Sequence, residues 1–239
     1  MQLFLDIETI PSQDKKVIER IREKAEADFK VPNKSIAEYA KDLGIDVMPD
    51  DKRKKADWQN LWADKFFSQQ IDDEVRKTSF NGSYGQVLMI GCSFYDELII
   101  FRGAEKEALN SFCDFVKNKL AENHSHTSII QFVGHNVLEF DLKFLYQRMV
   151  INGIAPFFRW PLSKYGDQIF DTMSVWTNYG RISLDELCHV LDIPSPKTDL
   201  DGSKVYKYYL QGREDEIAEY CKSDVMAVMQ VFNKMTFKE

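Results

Sequence analysis

The chain has 239 residues and a net charge of −7, with 44% hydrophobic and 29% charged residues. That composition excludes wholesale disorder, and the length supplies one or two domains with a core that needs no staples. No apolar run approaches the roughly 18 residues of a membrane span, MQLFLDIETIP lacks the basic start of a signal peptide, and an acidic chain cannot bind nucleic acid by bulk charge alone.

Four cysteines, Cys92, Cys113, Cys188 and Cys221, are scattered with no CxxC pair. That pattern argues against a zinc site or a disulfide framework, and predicts reduced, mostly buried thiols in a cytoplasmic protein.

Residues 1–9 alternate as a strand, with Leu3, Leu5 and Ile7 on one face and Phe4, Asp6 and Glu8 on the other. Residues 12–84 are highly charged, with helical patches at 14–29, 35–43 and 56–77 broken by Pro32, Pro49 and Asn81-Gly82. Fifteen basic and fifteen acidic residues between Gln13 and Lys77 balance. Their thin apolar content predicts a helical insertion between the first and second strands of a single domain spanning 1–239.

Regular α/β structure is expected from Gln86. QVLMIGCSFY and ELIIFRG read as strands turning at Asp96, and AEKEALNSFCDFVKNKLAEN as an amphipathic helix. SIIQFVGHN reads as a strand, and LEFDLKFLYQRMVING as a helix closed by Gly153. Residues 155–182 look irregular, with a short strand or helix near FDTMSVW. A helix capped by Ser183, a short one ending at Gly212 and a long final one from Arg213 complete the chain.

Three clusters carry chemistry. Asp6 and Glu8, two residues apart on one strand face, lie roughly 7 Å apart. They repel one another on a covered face unless a cation sits between them, yet a lone DxE is weak. Asn136-Val137-Leu138-Glu139-Phe140-Asp141 runs from a strand into a helix; taken alone, Asp141 reads more simply as a first-turn carboxylate. In Tyr220-Cys221-Lys222-Ser223-Asp224, Asp224 falls within the core-facing stripe of the last helix with Tyr220 one turn earlier. A carboxylate there is costly unless a partner or a metal satisfies it. Four carboxylates from one strand and two helices are oxygen ligands suited to Mg²⁺ or Mn²⁺. They exceed one ion's needs and fit a two-metal site about 4 Å across.

Asp6-x-Glu8, Asn136-x₃-Phe140-Asp141 and Tyr220-x₃-Asp224 resemble, in order and spacing, the three motifs of the DEDDy 3′–5′ exonucleases. SLDELCHVLDIP, DGSKVY and EIAEYCKSDV are similar to the branch of predicted exonucleases related to the exonuclease domain of family-B DNA polymerases. The resemblance covers residues 1–11 and about 85–236. It implies an RNase H-like α/β fold, a mixed sheet of about five strands flanked by helices. It also implies two divalent ions, Mg²⁺ or Mn²⁺, bridged by Asp6. Glu8 and Asp224 would complete one shell and Asp141 would hold the other. Tyr220 would orient the attacking water.

Asn136 and Phe140 would contact the terminal nucleotides, although a strand-end cap and a core aromatic fit them as well, and Thr9 would line the 3′-end pocket. The expected activity is release of nucleoside 5′-monophosphates from single-stranded 3′ ends, DNA ahead of RNA, with a separate polymerase or repair protein as partner and no membrane. An exoribonuclease and a non-catalytic binding module are the alternatives.

Other features read as structural. His124-Ser-His126 is a polar loop, His135 a satisfied strand-end histidine and Asp171 a helix N-cap. Lys52–Lys55 is a solvated charged face, and Trp58, Trp62, Phe66 and Phe67 are the insertion's own packing.

Overall fold

Gln2–Ile10 form the first strand, β1, and every other side chain is buried from Leu3 to Ile7. In this computed structural model the described residues are 1–94, 97–122, 130–156, 160, 168–178, 180–196 and 199–238. The expected turn at Asp96, the His124–His126 loop and much of 155–182 lie outside them. Met1–Pro11 and Ser79–Glu239 form one compact unit and Ser12–Thr78 another.

The first unit is built on a five-stranded mixed sheet. Its further strands are β2 (Gln86–Phe94), β3 (Glu97–Arg102), β4 (Gln131–Gly134) and β5 (Ile169–Asp171), in the order β3-β2-β1-β4-β5. β1 is central, antiparallel to β2 and parallel to β4. With both faces of the sheet covered, β2 reads as a continuous apolar run, QVLMIGCSF, buried from Val87 to Phe94. The mixed sheet flanked by helices is the RNase H-like architecture that the motifs imply.

On one face, Leu3, Leu5 and Ile7 join Leu109, Phe112, Val116 and Leu120 of the helix Glu105–Glu122 in the main core. Phe144, Leu145 and Met149 of Lys143–Asn152 complete it, and that helix ends at Gly153, whose φ of +66° is the left-handed stop a glycine supplies. Across the other face runs the final helix, Glu214–Met235. Its Phe232 meets the Phe4 and Phe170 rings edge-on at 5.4 and 4.9 Å. Ile217, Cys221, Val225 and Val228 are buried along the same helix. The irregular FDTMSVW stretch resolves as both structures, β5 followed directly by the helix Thr172–Thr177.

The second unit holds three helices, Lys15–Asp28, Ile36–Leu43 and Lys55–Arg76. Tyr39, Trp58 and Trp62 form its small core, with Phe66 packed beside them. Ser35 and Glu38 cap Ile36–Leu43 reciprocally. In the basic run, Arg53 lies over the Trp58 ring at 3.9 Å and pairs with Asp51. All four cysteines are buried free thiols. Among the described residues no helix is long and apolar enough to cross a membrane.

Candidate active site

Three elements converge on the face of β1 that carries Asp6 and Glu8. The first is β1 itself. Asp6 pairs with Gly91 of β2, and Glu8 pairs with Met89 while Thr9 pairs with Val87. Leu88 is therefore an extra residue in β2, and the bulge re-aims the end of β1 where Glu8 sits. The second is the segment after β4. Leu138–Leu142 make one wide π turn, with the Leu142 N–H donating to the Val137 carbonyl five residues back at 2.8 Å. An ordinary α-helix is the periodicity-based expectation for LEFDL. The wider turn instead brings Asp141 inward, where its carboxylate accepts from the Ile7 N–H at 3.0 Å. The third is the final helix, whose Tyr220 hydroxyl donates to the Asp224 carboxylate.

The sheet lets that helix approach closely because residue 91 is glycine. A Cβ there would come within 2.7 Å of Cys221 Sγ and 3.0 Å of Val225 Cγ2. Gly134 serves the same end between strand and turn: a Cβ would fall 2.6 Å from the Val137 side chain and 3.0 Å from the Leu5 carbonyl.

The resulting cluster is acidic and dry. Glu8, Asp141 and Asp224 are 6%, 3% and 8% exposed. Burial, then Asp224, Glu8 and Asp141, hold the Asp6 carboxyl well above the usual carboxylate range. Burial, then Asp224 and Asp141, do the same for Glu8. Asp141 is raised chiefly by burial, against the opposing pull of its backbone hydrogen bonds. Burial lifts Asp224 to about 6 while the Tyr220 hydrogen bond works the other way. Burial and the carboxylates Asp224, Glu8 and Asp6 push the Tyr220 phenol upward. Among the described residues no lysine, arginine or histidine offsets the charge on Glu8 or Asp224. Asp6 Oδ2 is buried with no hydrogen-bond partner. Such a set is costly by itself and fits divalent cations, which replace the repulsion with shared coordination.

Asp6, Glu8, Asp141, Tyr220 and Asp224 are thus close enough to perturb one another. The three further expected contact residues are placed less openly. The Thr9 hydroxyl is committed to the Ser79 carbonyl at 2.7 Å. Asn136 takes a left-handed backbone, φ +60°, and its N–H donates to Asp171. Phe140 is half-buried against the main core, 5.7 Å from the Phe144 ring.

Asp171 does more than cap a helix. It accepts from Met173 and Ser174 at the helix start, and also from the N–H groups of Asn136 at 3.0 Å and Leu138 at 3.3 Å. It thereby ties the start of the Asp141 turn to β5. His135 is satisfied between the Thr172 hydroxyl and the Ile182 carbonyl, with burial lowering its pKa.

Sequence reasoning did not place Cys221 beside the carboxylates. Donor atoms of Asp6, Glu8 and Cys221 lie within 4.8 Å of one another. The signal was present in its place beside Tyr220, but a cysteine in an apolar stripe reads as ordinary core.

A family model described as "Predicted 3'-5' exonuclease related to the exonuclease domain of PolB" matches residues 102–239, which include Asp141, Tyr220 and Asp224. No curated protein matches the chain.

Proposed function

The chain belongs to the family of predicted 3′–5′ exonucleases related to the exonuclease domain of PolB, and from that premise we propose that it is a metal-dependent exonuclease. It removes nucleoside 5′-monophosphates from the 3′ ends of single-stranded nucleic acid. DNA stands ahead of RNA because the family is related to a polymerase's exonuclease domain. The observation that carries this reading is the convergence of Asp6, Glu8, Asp141 and Asp224, each raised above its ordinary range chiefly by burial, with Asp6 Oδ2 buried and lacking a hydrogen-bond partner.

Asp6, Glu8, Asp141 and Asp224 would hold two Mg²⁺ or Mn²⁺ ions. When bound, the cations supply the positive charge that activates water and neutralises charge developing on the phosphate. Tyr220 has a phenol whose ordinary pKa of about 10 makes it a poor base at neutral pH, and burial with the neighbouring carboxylates pushes it further up. Its hydroxyl instead holds Asp224 and orients the attacking water. Water oxygen joins phosphorus, the bond to the 3′ oxygen breaks, and that oxygen leaves with a proton. Asn136 and Phe140 flank the Asp141 turn and face the terminal nucleotides, with Thr9 at the end of β1. A polymerase or repair protein supplies the physiological 3′ end.

The test uses 5′-labelled single-stranded DNA and matched RNA with Mg²⁺ or Mn²⁺, alongside a chelator control and Asp224→Ala. A ladder shortening from the 3′ end, lost in both controls, is expected. Intact oligomers under every metal would leave a binding module in its place.

A further inference from the structure

We propose that Cys221 Sγ joins the Asp6 and Glu8 carboxylates as a third donor, giving the chain a mixed oxygen–sulfur site for a thiophilic divalent cation of the zinc or cadmium class.

Three features support it. Donor atoms of the three residues lie within 4.8 Å of one another. Asp6, one of the two carboxylates in the group, has a buried oxygen, Oδ2, with no hydrogen-bond partner. The thiol is also fixed in place: its sulfur contacts the Asp6 carbonyl oxygen at 3.8 Å, and the bare backbone of Gly91 lies beneath it. Cys221 has one side-chain torsion, and with Gly91 and Val225 packed around it the sulfur has little room to turn away. Zinc bound tetrahedrally at about 2.0–2.3 Å from each donor would draw sulfur and oxygen to roughly 3.5 Å, so closure from the 4.8 Å limit takes about 1.3 Å at most.

Hard, oxygen-only cages suit Mg²⁺, whereas a thiolate in the set favours softer ions. As the metal–sulfur bond forms, the S–H bond breaks and its proton passes to solvent. The cation then occupies Asp6 and Glu8, two of the carboxylates assigned above to the activating ions. Zinc-class ions are therefore competitors of Mg²⁺ in the reading of Asp6 and Glu8 given under Proposed function.

The probe is Cd²⁺ alone, added to the full chain in the absence of nucleic acid. The wild type is expected to show the ultraviolet thiolate-to-cadmium charge-transfer band. Cys221→Ser should lose the band and bind Cd²⁺ at least about tenfold more weakly, and Asp6→Asn should weaken the band in parallel. A band that survives in Cys221→Ser places the sulfur at another thiol, one undiminished in Asp6→Asn removes Asp6 from the donor set, and either overturns the proposal. Should Cys221→Ser fail to fold, the cadmium NMR shift of the wild type decides. A sulfur-shifted resonance lost in Asp6→Asn supports the site, and a shift typical of oxygen ligands alone overturns it. Because the readout is binding, a chain that digests no oligomer still answers the question, so the two failures are distinguishable.

Discussion

Gly91 lies directly opposite Asp6 in the antiparallel ladder, and a Cβ on it would come within 2.7 Å of Cys221 Sγ. The two residues share one sheet face, so the absence of a side chain at one is what lets the final helix close over the carboxylate of the other. Gly91→Ala should therefore push the helix away from β1 and β2. Overpacking of this kind costs about 1–3 kcal/mol. The denaturation midpoint should fall, and any metal-dependent activity should fall further than the folded fraction does. A midpoint equal to wild type would show that the helix accommodates the methyl group without moving.

Asp6→Asn separates the structural cost of the cluster from its metal affinity. Removing one of four clustered carboxylates relieves repulsion, so the metal-free variant should be at least as stable as wild type at neutral pH. Mn²⁺ should then stabilise the wild type by about 2.7 kcal/mol at a hundredfold excess over its dissociation constant, and the variant by far less. Thermal melts with and without Mn²⁺ read both effects. Equal stabilisation of the two proteins would remove Asp6 from the metal set.

Much of this arrangement is legible in the sequence, for identifiable reasons. The two-residue period of LFLDIET places Asp6 and Glu8 together on one face, and the 3.6-residue period of the last helix places Tyr220 and Asp224 together on another. Ser183, Gly153 and Gly212 are stop and start residues whose backbone roles are local, and each sits at a helix boundary as expected. What is not legible depends on neighbours distant in sequence. LEFDL has the period of an α-helix, and the wide turn that brings Asp141 toward Ile7 opens on N–H groups that donate to Asp171, some 30 residues on. Cys221 comes beside Asp6 only once the final helix packs on β1. A glycine inside an apolar strand, as at Gly91, signals close approach of something, but nothing local names the helix that approaches.

The pH dependence of the metal-free chain follows from the sign of the carboxylate shifts. Asp224 binds its proton more tightly in the folded state, with its pKa raised from 3.8 to about 6. Its contribution is fully present below pH 3.8 and is lost as the pH rises through about 6. Asp6, Glu8 and Asp141 are displaced in the same direction. In a chelator, stability should fall between about pH 4 and pH 6, and Asp224→Asn should flatten that part of the profile. Urea midpoints across the range check it. Parallel profiles for the two proteins would mean that Asp224 titrates alike in the folded and unfolded chain.

Tyr220→Phe keeps the ring and deletes the hydroxyl that donates to Asp224. If positioning is its role, turnover should slow by a factor of tens, within or below the range found for placed proton-bearing groups, with KM little changed. Losing the hydrogen bond should also raise the Asp224 pKa in the metal-free protein, since that bond now pulls it down. Single-turnover digestion and carboxyl NMR titration measure the two effects independently. A shifted titration with unchanged turnover would confine the hydroxyl to holding Asp224.

Asp171 is where fold and site depend on the same side chain. Its carboxylate gathers four backbone N–H groups, two opening the helix after β5 and two opening the turn that carries Asp141. It is 5% exposed, so water cannot replace the lost acceptor freely. Asp171→Ala should cost more than the roughly 1 kcal/mol of a simple N-cap, because donors of two elements are stranded at about 1–3 kcal/mol each when fully buried. Ser183→Ala, which removes an exposed cap in the same unit, is the control. If Asp171 positions Asp141, its loss should weaken Mn²⁺ binding about tenfold, as loss of a supporting residue around a metal ligand does, while Ser183→Ala leaves binding unchanged. Calorimetric titration on the folded fraction of each variant gives the comparison. Equal affinities would confine Asp171 to capping, and the orientation of the Asp141 turn would then rest on its own Ile7 hydrogen bond.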